Sequence, residues 1–274
     1  MKKLVALMLT VLIGTCAIMF AGCGSSFDGN YKEVEKGEVQ TFSDEVSKTE
    51  GNEGVSIDYS RGFAVSSNYE MKTAVLSTSV KVEAKAVSVD GKVEMSGKVE
   101  TNASGTINGE DLFKEGYGKI NSEVYYKDGY GYVSVSANGI SSKLKKKVNI
   151  GDFLDDYMNF DNSEYCSLPD LLVEVGTVDG VKFYMDKSDA GCKIKIVVPE
   201  MEQSTSEAGI GKVTVKGEFY LVYDAQNRLT AVKASLETVQ KSGNDNLLKI
   251  SFVAEPFSGK VSFPNDLDSY ALMP

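Results

Sequence analysis

The chain has 274 residues, with 39 acidic residues against 29 basic ones and a net charge of −10 at pH 7. This acidic balance does not suit nucleic acid, whose phosphates attract basic surfaces. The sequence contains no histidine, which excludes Ser-His-Asp catalysis, Cys-His catalysis and any imidazole metal site.

The first 22 residues have the pattern of a secretion signal. Two lysines precede an apolar run that ends at Phe20, and small residues follow it. The export machinery and its peptidase need a charged start, a short apolar core and small residues before the cleavage point. An uncleaved anchor helix would want about 20 continuous apolar residues, and Thr10, Gly14 and Thr15 interrupt this run. We therefore predict a signal peptide over residues 1–22.

The residue after the signal makes the prediction more specific. Cys23 directly follows Ala21 and Gly22, which resembles the lipobox of bacterial lipoproteins, where the cysteine thiol and the new amino terminus are both acylated. Several acyl chains hold a protein stably at a membrane where one chain does not. The resemblance implies a palmitate-type anchor on Cys23, a lipidated tether over residues 23–30, and an extracytoplasmic protein held at the cell membrane.

Two cysteines remain for the mature domain, Cys166 and Cys192. Extracytoplasmic compartments favour disulfides, so a bond between these two thiols is one hypothesis. Such a bond would stabilise the fold by about 3 kcal/mol if the geometry allows it. The alternative is a pair of buried free thiols, and the sequence leaves both open.

After the tether, the apolar residues are first spaced as in a helix. Asp28 is available as a cap, although Gly37 weakens the middle of the pattern. We predict an amphipathic helix from about Tyr31 to Lys48. Its apolar face consists of Tyr31, Val34, Val39, Phe42 and Val46.

From Val55 onward, apolar residues alternate with polar ones, as in strands that bury one face. The Asp-Gly pairs at Asp90 and Asp128 predict tight antiparallel hairpins. In the second half of the chain, strands are predicted over residues 181–185, 193–198, 212–224, 229–240 and 247–255.

Two further helices interrupt the predicted strands. An apolar face at helical spacing extends from Ile150 to Met158 and includes Phe153 and Tyr157. A capping-box pattern at Ser167, with proline in the first turn, begins the second helix.

The order of these elements resembles the LolA/LppX-like group of bacterial lipoproteins and lipid carriers. The likeness rests on the lipidated amino terminus, the following helix, the long antiparallel meander, the interrupting helix and a closing segment over 261–267. The hairpin tract 123–132 and the strand 219–224 are similar to recurrent tracts of that group.

This resemblance implies an α+β, β-rich fold in a single domain over residues 31–274. The sheet would be antiparallel and curved into an incomplete barrel, with a few helices covering its concave face. The alternating strands agree with such a sheet, and the predicted helices have the apolar stripes needed to cover it. The concave face of such a fold can hold acyl chains or another apolar ligand.

We therefore predict a non-enzymatic lipoprotein of the cell envelope that binds a lipid or other apolar ligand in a half-open barrel, without cofactor or metal. The candidate lining residues are Tyr130, Tyr132, Phe153 and Tyr157. Cross-strand aromatic packing explains the tyrosines without a ligand.

The alternative function is an interaction module with a solid core that docks a protein or cell-wall partner. A third hypothesis is an exported enzyme that uses carboxylates alone.

A dense basic patch contrasts with the acidic character of the chain. Lys143, Lys145, Lys146 and Lys147 are candidates for contact with anionic headgroups, each contributing about 1 kcal/mol near a membrane surface. The alternative is a charged edge strand that resists aggregation. The acidic residues after Ile150 are predicted to lie on a solvated helix face, where the helix dipole favours them, and not to bind a metal.

Overall fold

The computed structural model of the chain describes residues 27–48, 62–113, 118–153, 168–175, 178–204, 212–241 and 246–273. These residues are mainly β-strands, and they form one large curved sheet whose two ends are not joined. The predicted β-rich class is confirmed. Within these ranges, no helix is both long enough and apolar enough to span a membrane. The signal peptide and residues 23–26 of the tether, including Cys23, lie outside the described residues.

The described helices are α1 (Lys36–Val46) and α2 (Leu168–Val175), a helix that begins at Ile150 and is described as far as Phe153, and a short 3-10 helix (Leu267–Ser269). The strands are β1 (Lys32–Val34), β2 (Phe63–Lys72), β3 (Leu76–Val89), β4 (Lys92–Ile107), β5 (Glu110–Asp111), β6 (Lys119–Lys127), β7 (Tyr130–Ala137), β8 (Ile140–Lys147), β9 (Lys182–Ser188), β10 (Gly191–Ser204), β11 (Lys212–Asp224), β12 (Leu229–Lys241), β13 (Asn246–Pro256) and β14 (Ala271–Leu272).

The order across the sheet is β1-β9-β10-β11-β12-β13-β2-β3-β4-β6-β7-β8-β14, and β5 pairs with the end of β4. All neighbours are antiparallel except β14, which lies parallel to β8. Both outermost strands are very short: β1 pairs with three residues of β9, and β14 pairs with only Leu144 and Lys145 of β8. The second half of the chain joins the first where β13 pairs with β2.

The predicted hairpins are confirmed. Asp90 and Gly91 connect β3 to β4, and Asp128 and Gly129 connect β6 to β7, all four with positive φ. Positive φ at both central residues is the geometry that suits the twist of a two-residue hairpin. The later predicted strands are also present: β11 has the predicted bounds, and the other four are longer than the sequence pattern indicated.

The first helix begins later than predicted. The stretch Lys32–Val34 forms β1 and pairs with β9, so the prediction of a helix from Tyr31 was wrong there. The outer edge of β9 provides backbone hydrogen-bond partners for these three residues. In a first helical turn, the backbone N–H groups would have no such partners. Glu35, and not Asp28, precedes α1. The helical spacing is confirmed further on, where the buried residues are Val39, Phe42, Ser43 and Val46.

One face of the sheet, which we call the core face, holds the main apolar cluster. The side chains of α1 and α2 pack there against β9, β10, β11 and β12. Ile194 and Ile196 of β10 are completely buried under this layer. A second cluster continues on the other half of the sheet, around Phe63, Met95, Tyr126, Phe153 and Phe252.

Ile196→Ala is expected to lower the free energy of unfolding by about 2–5 kcal/mol, because a completely buried side chain leaves a cavity. The matched control is Ile140→Ala, since Ile140 is 76% exposed and its loss is expected to change stability by about 0.5 kcal/mol or less. Urea denaturation measures both variants. Equal losses would contradict the assigned core.

Candidate functional site

A single row of directly paired residues crosses the sheet on the core face. In an antiparallel sheet, residues directly opposite one another project to the same face. The row begins at Ile196 under the helices and ends in β7 and β8. Its members are Ile196, Phe219, Ala234, Phe252, Ser67, Val82, Val99, Ser122, Val135 and Ser142.

Alternation along the strands places every charged residue of β3, β4, β6 and β7 on the opposite face. In β3, for example, Lys81, Glu83 and Lys85 alternate with Val82 and Ala84. The core face of these four strands has only aliphatic, aromatic, methionine, glycine, alanine, serine and threonine residues. Lys146 of β8 is the exception next to them.

One end of this face is closed by Phe153, which is completely buried. Its ring lies 5.5 Å from the Tyr126 ring, between centroids, and a Cβ on Gly131 would come within 2.3 Å of it. Glycine at 131 therefore leaves the space that the ring fills. Asn149 fixes the helix start here, because its side-chain oxygen accepts a hydrogen bond from the Asp152 N–H at 2.9 Å.

Away from Phe153, the same face becomes exposed. Met95 and Val124 are buried, whereas the exposed fractions rise to 37% for Val135, 41% for Ile120, 47% for Ile107 and 76% for Ile140. Leu112 is 45% exposed. It lies over the same face, because its Cδ1 atom is 3.1 Å from the position that a Cβ on Gly105 would take. We call these residues the apolar strip: Val80, Val82, Val99, Ile107, Leu112, Ile120, Val135 and Ile140.

The described helices do not reach the strip. The apolar cluster formed by α1 and α2 extends as far as Tyr69 in β2, and within the described ranges it includes no residue of β3 to β8. Contiguous exposed apolar surface of this kind marks a place where a ligand or another apolar group binds. The predicted coverage of the concave face by helices is not confirmed.

The predicted lining residues do not come together. Phe153 lies on the core face, but Tyr130 and Tyr132 project from the opposite face, where they pair with Lys147 and Lys145. Tyr157 lies outside the described residues. The tyrosine rings lie 6.4 Å apart, which fits the aromatic-packing alternative that the sequence left open.

The carboxyl-terminal segment covers the tyrosines on the opposite face. Tyr270 is buried edge-on against Tyr132, with centroids 5.6 Å apart, and Phe263 lies 6.2 Å from Tyr125. The Met273 N–H donates a 2.8 Å hydrogen bond to the Lys145 carbonyl, which holds β14 along β8. These tyrosines thus secure the end of the chain.

The four lysines of β8 divide between the two faces. Lys143, Lys145 and Lys147 lie opposite to Lys146. Lys143 is 2.5 Å from the Asp266 carboxylate, and this hydrogen bond lowers the pKa of Asp266. The Lys145 ammonium donates to the Asp268 carbonyl at 3.4 Å. The structure therefore separates the basic patch, and its contact with headgroups stays a prediction.

Lysines also keep several surface carboxylates ionised. The pKa values of Glu83, Glu100 and Glu237 are lowered because a lysine ammonium hydrogen-bonds to each of them. A carboxyl group that acts as a general acid needs the opposite shift. Within the described ranges, no three acidic or cysteine side chains approach closely enough to hold a metal ion. The acidic side chain of Asp152 is exposed.

Cys192 is buried in the cluster beneath α1 and forms no disulfide with another described residue. Burial raises its pKa to about 11. Its predicted disulfide partner, Cys166, lies outside the described residues, so the bond stays a prediction.

Comparison with known proteins gives only distant structural likeness. No protein-family model matches the sequence, and no curated protein matches it. A DUF1329 family protein from Desulfovibrio piger is 13% identical over 81% of this chain and 95% of its own, with a TM-score of 0.24. The ywiB protein from Bacillus subtilis is 8% identical over 72% of this chain and 93% of its own, with a TM-score of 0.17.

A third similar structure is the β-barrel-like DUF1849 protein from Brucella abortus. It is 7% identical over 73% of this chain and 99% of its own, with a TM-score of 0.16. TM-scores this low support no argument about function. The candidate site therefore rests on the residues of this chain alone.

The sequence pattern placed Val80, Val82 and Val99 of the strip on an apolar strand face, but alternation does not show whether such a face is covered. Leu112 follows a polar turn, and Ile140 directly follows the Asn138-Gly139 turn. A large aliphatic residue beside a turn is the signal that would have indicated the exposed end.

The Cys192 thiol is expected to resist modification in the folded protein, because it is buried and its raised pKa keeps it protonated at pH 8. In a soluble Cys166→Ser variant beginning at Gly24, Cys192 is the only cysteine. Its reaction with a thiol-specific disulfide reagent should be at least about 100-fold slower than in denaturant. Equal rates in the two conditions would show that the thiol is accessible.

Proposed function

We propose that this protein is a membrane-anchored bacterial lipoprotein that binds a lipid or another apolar ligand on the apolar strip and catalyses no reaction. One observation supports the proposal above the others: the core face of β3, β4, β6 and β7 has no charged residue, yet its far end is exposed. Water is a poor partner for such a surface, and an acyl chain is a good one.

The dimensions of the strip suit an acyl chain. From Val99 to Ile107 along β4, a strand of eight steps extends about 26 Å. The hydrocarbon core of a bilayer is about 30 Å thick, so the chains of one leaflet extend about 15 Å. Each methylene group removed from water contributes about 0.8 kcal/mol, before the cost of ordering the ligand.

Hydroxyl groups on the same face would accommodate the polar linkage of a lipid. Thr101, Ser122 and Ser142 alternate with the aliphatic residues of the strip on three different strands. Hydroxyls donate and accept hydrogen bonds, as an ester or amide group requires. A few polar groups within an apolar surface fix the orientation of a ligand without demanding a charge.

The predicted lipidation of Cys23 would hold the domain at a membrane. Two or more acyl chains anchor a protein stably, so the domain would work as a tethered binder and not as a free carrier. The anchor remains part of the proposal, as do the extracytoplasmic location and the absence of enzymatic activity.

Docking of a protein or cell-wall partner is the second candidate function, and a groove on the opposite face favours it. The groove has a volume of about 530 Å³ and is lined by Glu70, Lys216, Glu237 and Lys249, among other residues. Lys216 and Lys249 both contact Glu237, at 3.2 and 3.5 Å. These charged side chains would pair with polar groups of a partner, and Val197 and Pro199 add apolar surface to the same groove.

Val135→Arg is expected to weaken binding of cis-parinaric acid, a fluorescent fatty acid, by at least about tenfold, because it places a charge within the apolar strip. Fluorescence titration of the protein beginning at Gly24, which lacks the signal peptide and Cys23, measures the affinity. Val173→Arg is the matched control, since Val173 is an equally apolar, exposed residue on α2. If both variants lose the same affinity, or if the unaltered protein binds no fatty acid, the proposed function is wrong.

A further inference from the structure

The strand register separates the two ends of the sheet. At the proximal end, the turns at Asp90-Gly91 and Asp128-Gly129 join β3 to β4 and β6 to β7. At the distal end, the turns over 73–75 and at Asn138-Gly139 join β2 to β3 and β7 to β8. Phe153 lies near the proximal end of the core face, and the exposed part of the strip lies at the distal end.

The amino-terminal segment is fixed to the proximal end. The Phe27 ring packs edge-on against Tyr220, with centroids 6.2 Å apart, and it also contacts the cluster that contains Met95. The Lys193 ammonium, two residues after the turn between β9 and β10, donates a 2.6 Å hydrogen bond to the Asp28 carbonyl. The tether must therefore reach the membrane from this end.

The direction of β1 agrees with this attachment. Lys32 pairs with Met185 and Val34 with Phe183, so the chain runs from the proximal towards the distal end as it enters β1. The side chain of Tyr31 strengthens the attachment, because its hydroxyl donates a 2.9 Å hydrogen bond to the Phe27 carbonyl. Burial of this ring raises the pKa of Tyr31 to about 12, so the donor stays protonated.

The tether is short compared with the sheet. The four residues from Cys23 to Phe27 span at most about 14 Å when fully extended. The 16 residues of β4 extend about 50 Å from one end of the sheet to the other. An anchor on Cys23 therefore brings the proximal end to the membrane and keeps the distal end well away from it.

We propose that the exposed distal end of the strip, formed by Ile107, Leu112 and Ile140, is the entrance for an acyl chain and that it points away from the anchoring membrane. This inference rests on the proposed lipidation and ligand binding. The proximal end offers no such route along the core face, because Met95, Tyr126 and Phe153 are buried there in a single apolar cluster. The lipid thus enters and leaves at the end opposite to the anchor.

Fluorescence quenching in liposomes tests the orientation. The full lipidated protein would receive a single fluorophore at Ile140→Cys or at Lys92→Cys, both in a Cys166→Ser background, since Cys192 is buried. Lys92 is at the proximal end, and its side chain is 71% exposed. Lipids with a nitroxide on the headgroup should quench the Lys92 label at least about threefold more than the Ile140 label. Equal quenching, or stronger quenching at Ile140, would overturn the orientation.

The entrance is tested by the rate of uptake. Leu112→Arg should slow uptake of cis-parinaric acid by the liposome-bound protein at least about tenfold, because a charge must then be desolvated at the entrance. Val173→Arg should leave the rate unchanged. Unchanged uptake in Leu112→Arg would overturn the entrance while leaving the binding function intact. Absence of binding in the unaltered protein would overturn the function and the inference together.

Discussion

The strict alternation of β3, β4, β6 and β7 is the constraint on which the rest of the structure depends. A slip of one residue in any of these pairings would exchange the two faces, placing Lys81, Glu83 and Lys85 where Val82 and Ala84 now lie. Burying such charges costs far more free energy than formation of a hairpin contributes, so the exclusion of charge from the core face fixes the register. The same exclusion leaves the core face of these four strands without a charged residue.

The two halves of the sheet use that surface differently. Under α1 and α2, residues such as Ile194 and Ile196 are completely buried and stabilise the fold. Across β3 to β8, the same row of paired residues includes Val135, which is more than one-third exposed. The exposed apolar residues of the second half stabilise the fold less than they would if they were buried. An apolar ligand that covered them would raise the free energy of unfolding, so stability would depend on binding.

The sequence predicted much of the fold and little of the site. Asp-Gly turns and two-residue alternation are local signals, so the hairpins and strands followed from them. The pairing of β13 with β2 and the use of Lys32–Val34 as an edge strand depend on distant partners, which local patterns do not reveal. Alternation also assigns Tyr130 and Tyr132 to a common face, but only the contact of the Phe153 ring with Gly131 shows that Phe153 lies on the other face.

Native mass spectrometry of the soluble protein beginning at Gly24, purified from a bacterial host, tests the central claim most directly. The account predicts a stoichiometric adduct that organic extraction removes and that lipid analysis identifies by its acyl chains. A clean mass without adduct, unchanged after incubation with phospholipid vesicles, would contradict it. The charged groove on the opposite face, with Lys216 and Glu237, would then become the principal candidate for function.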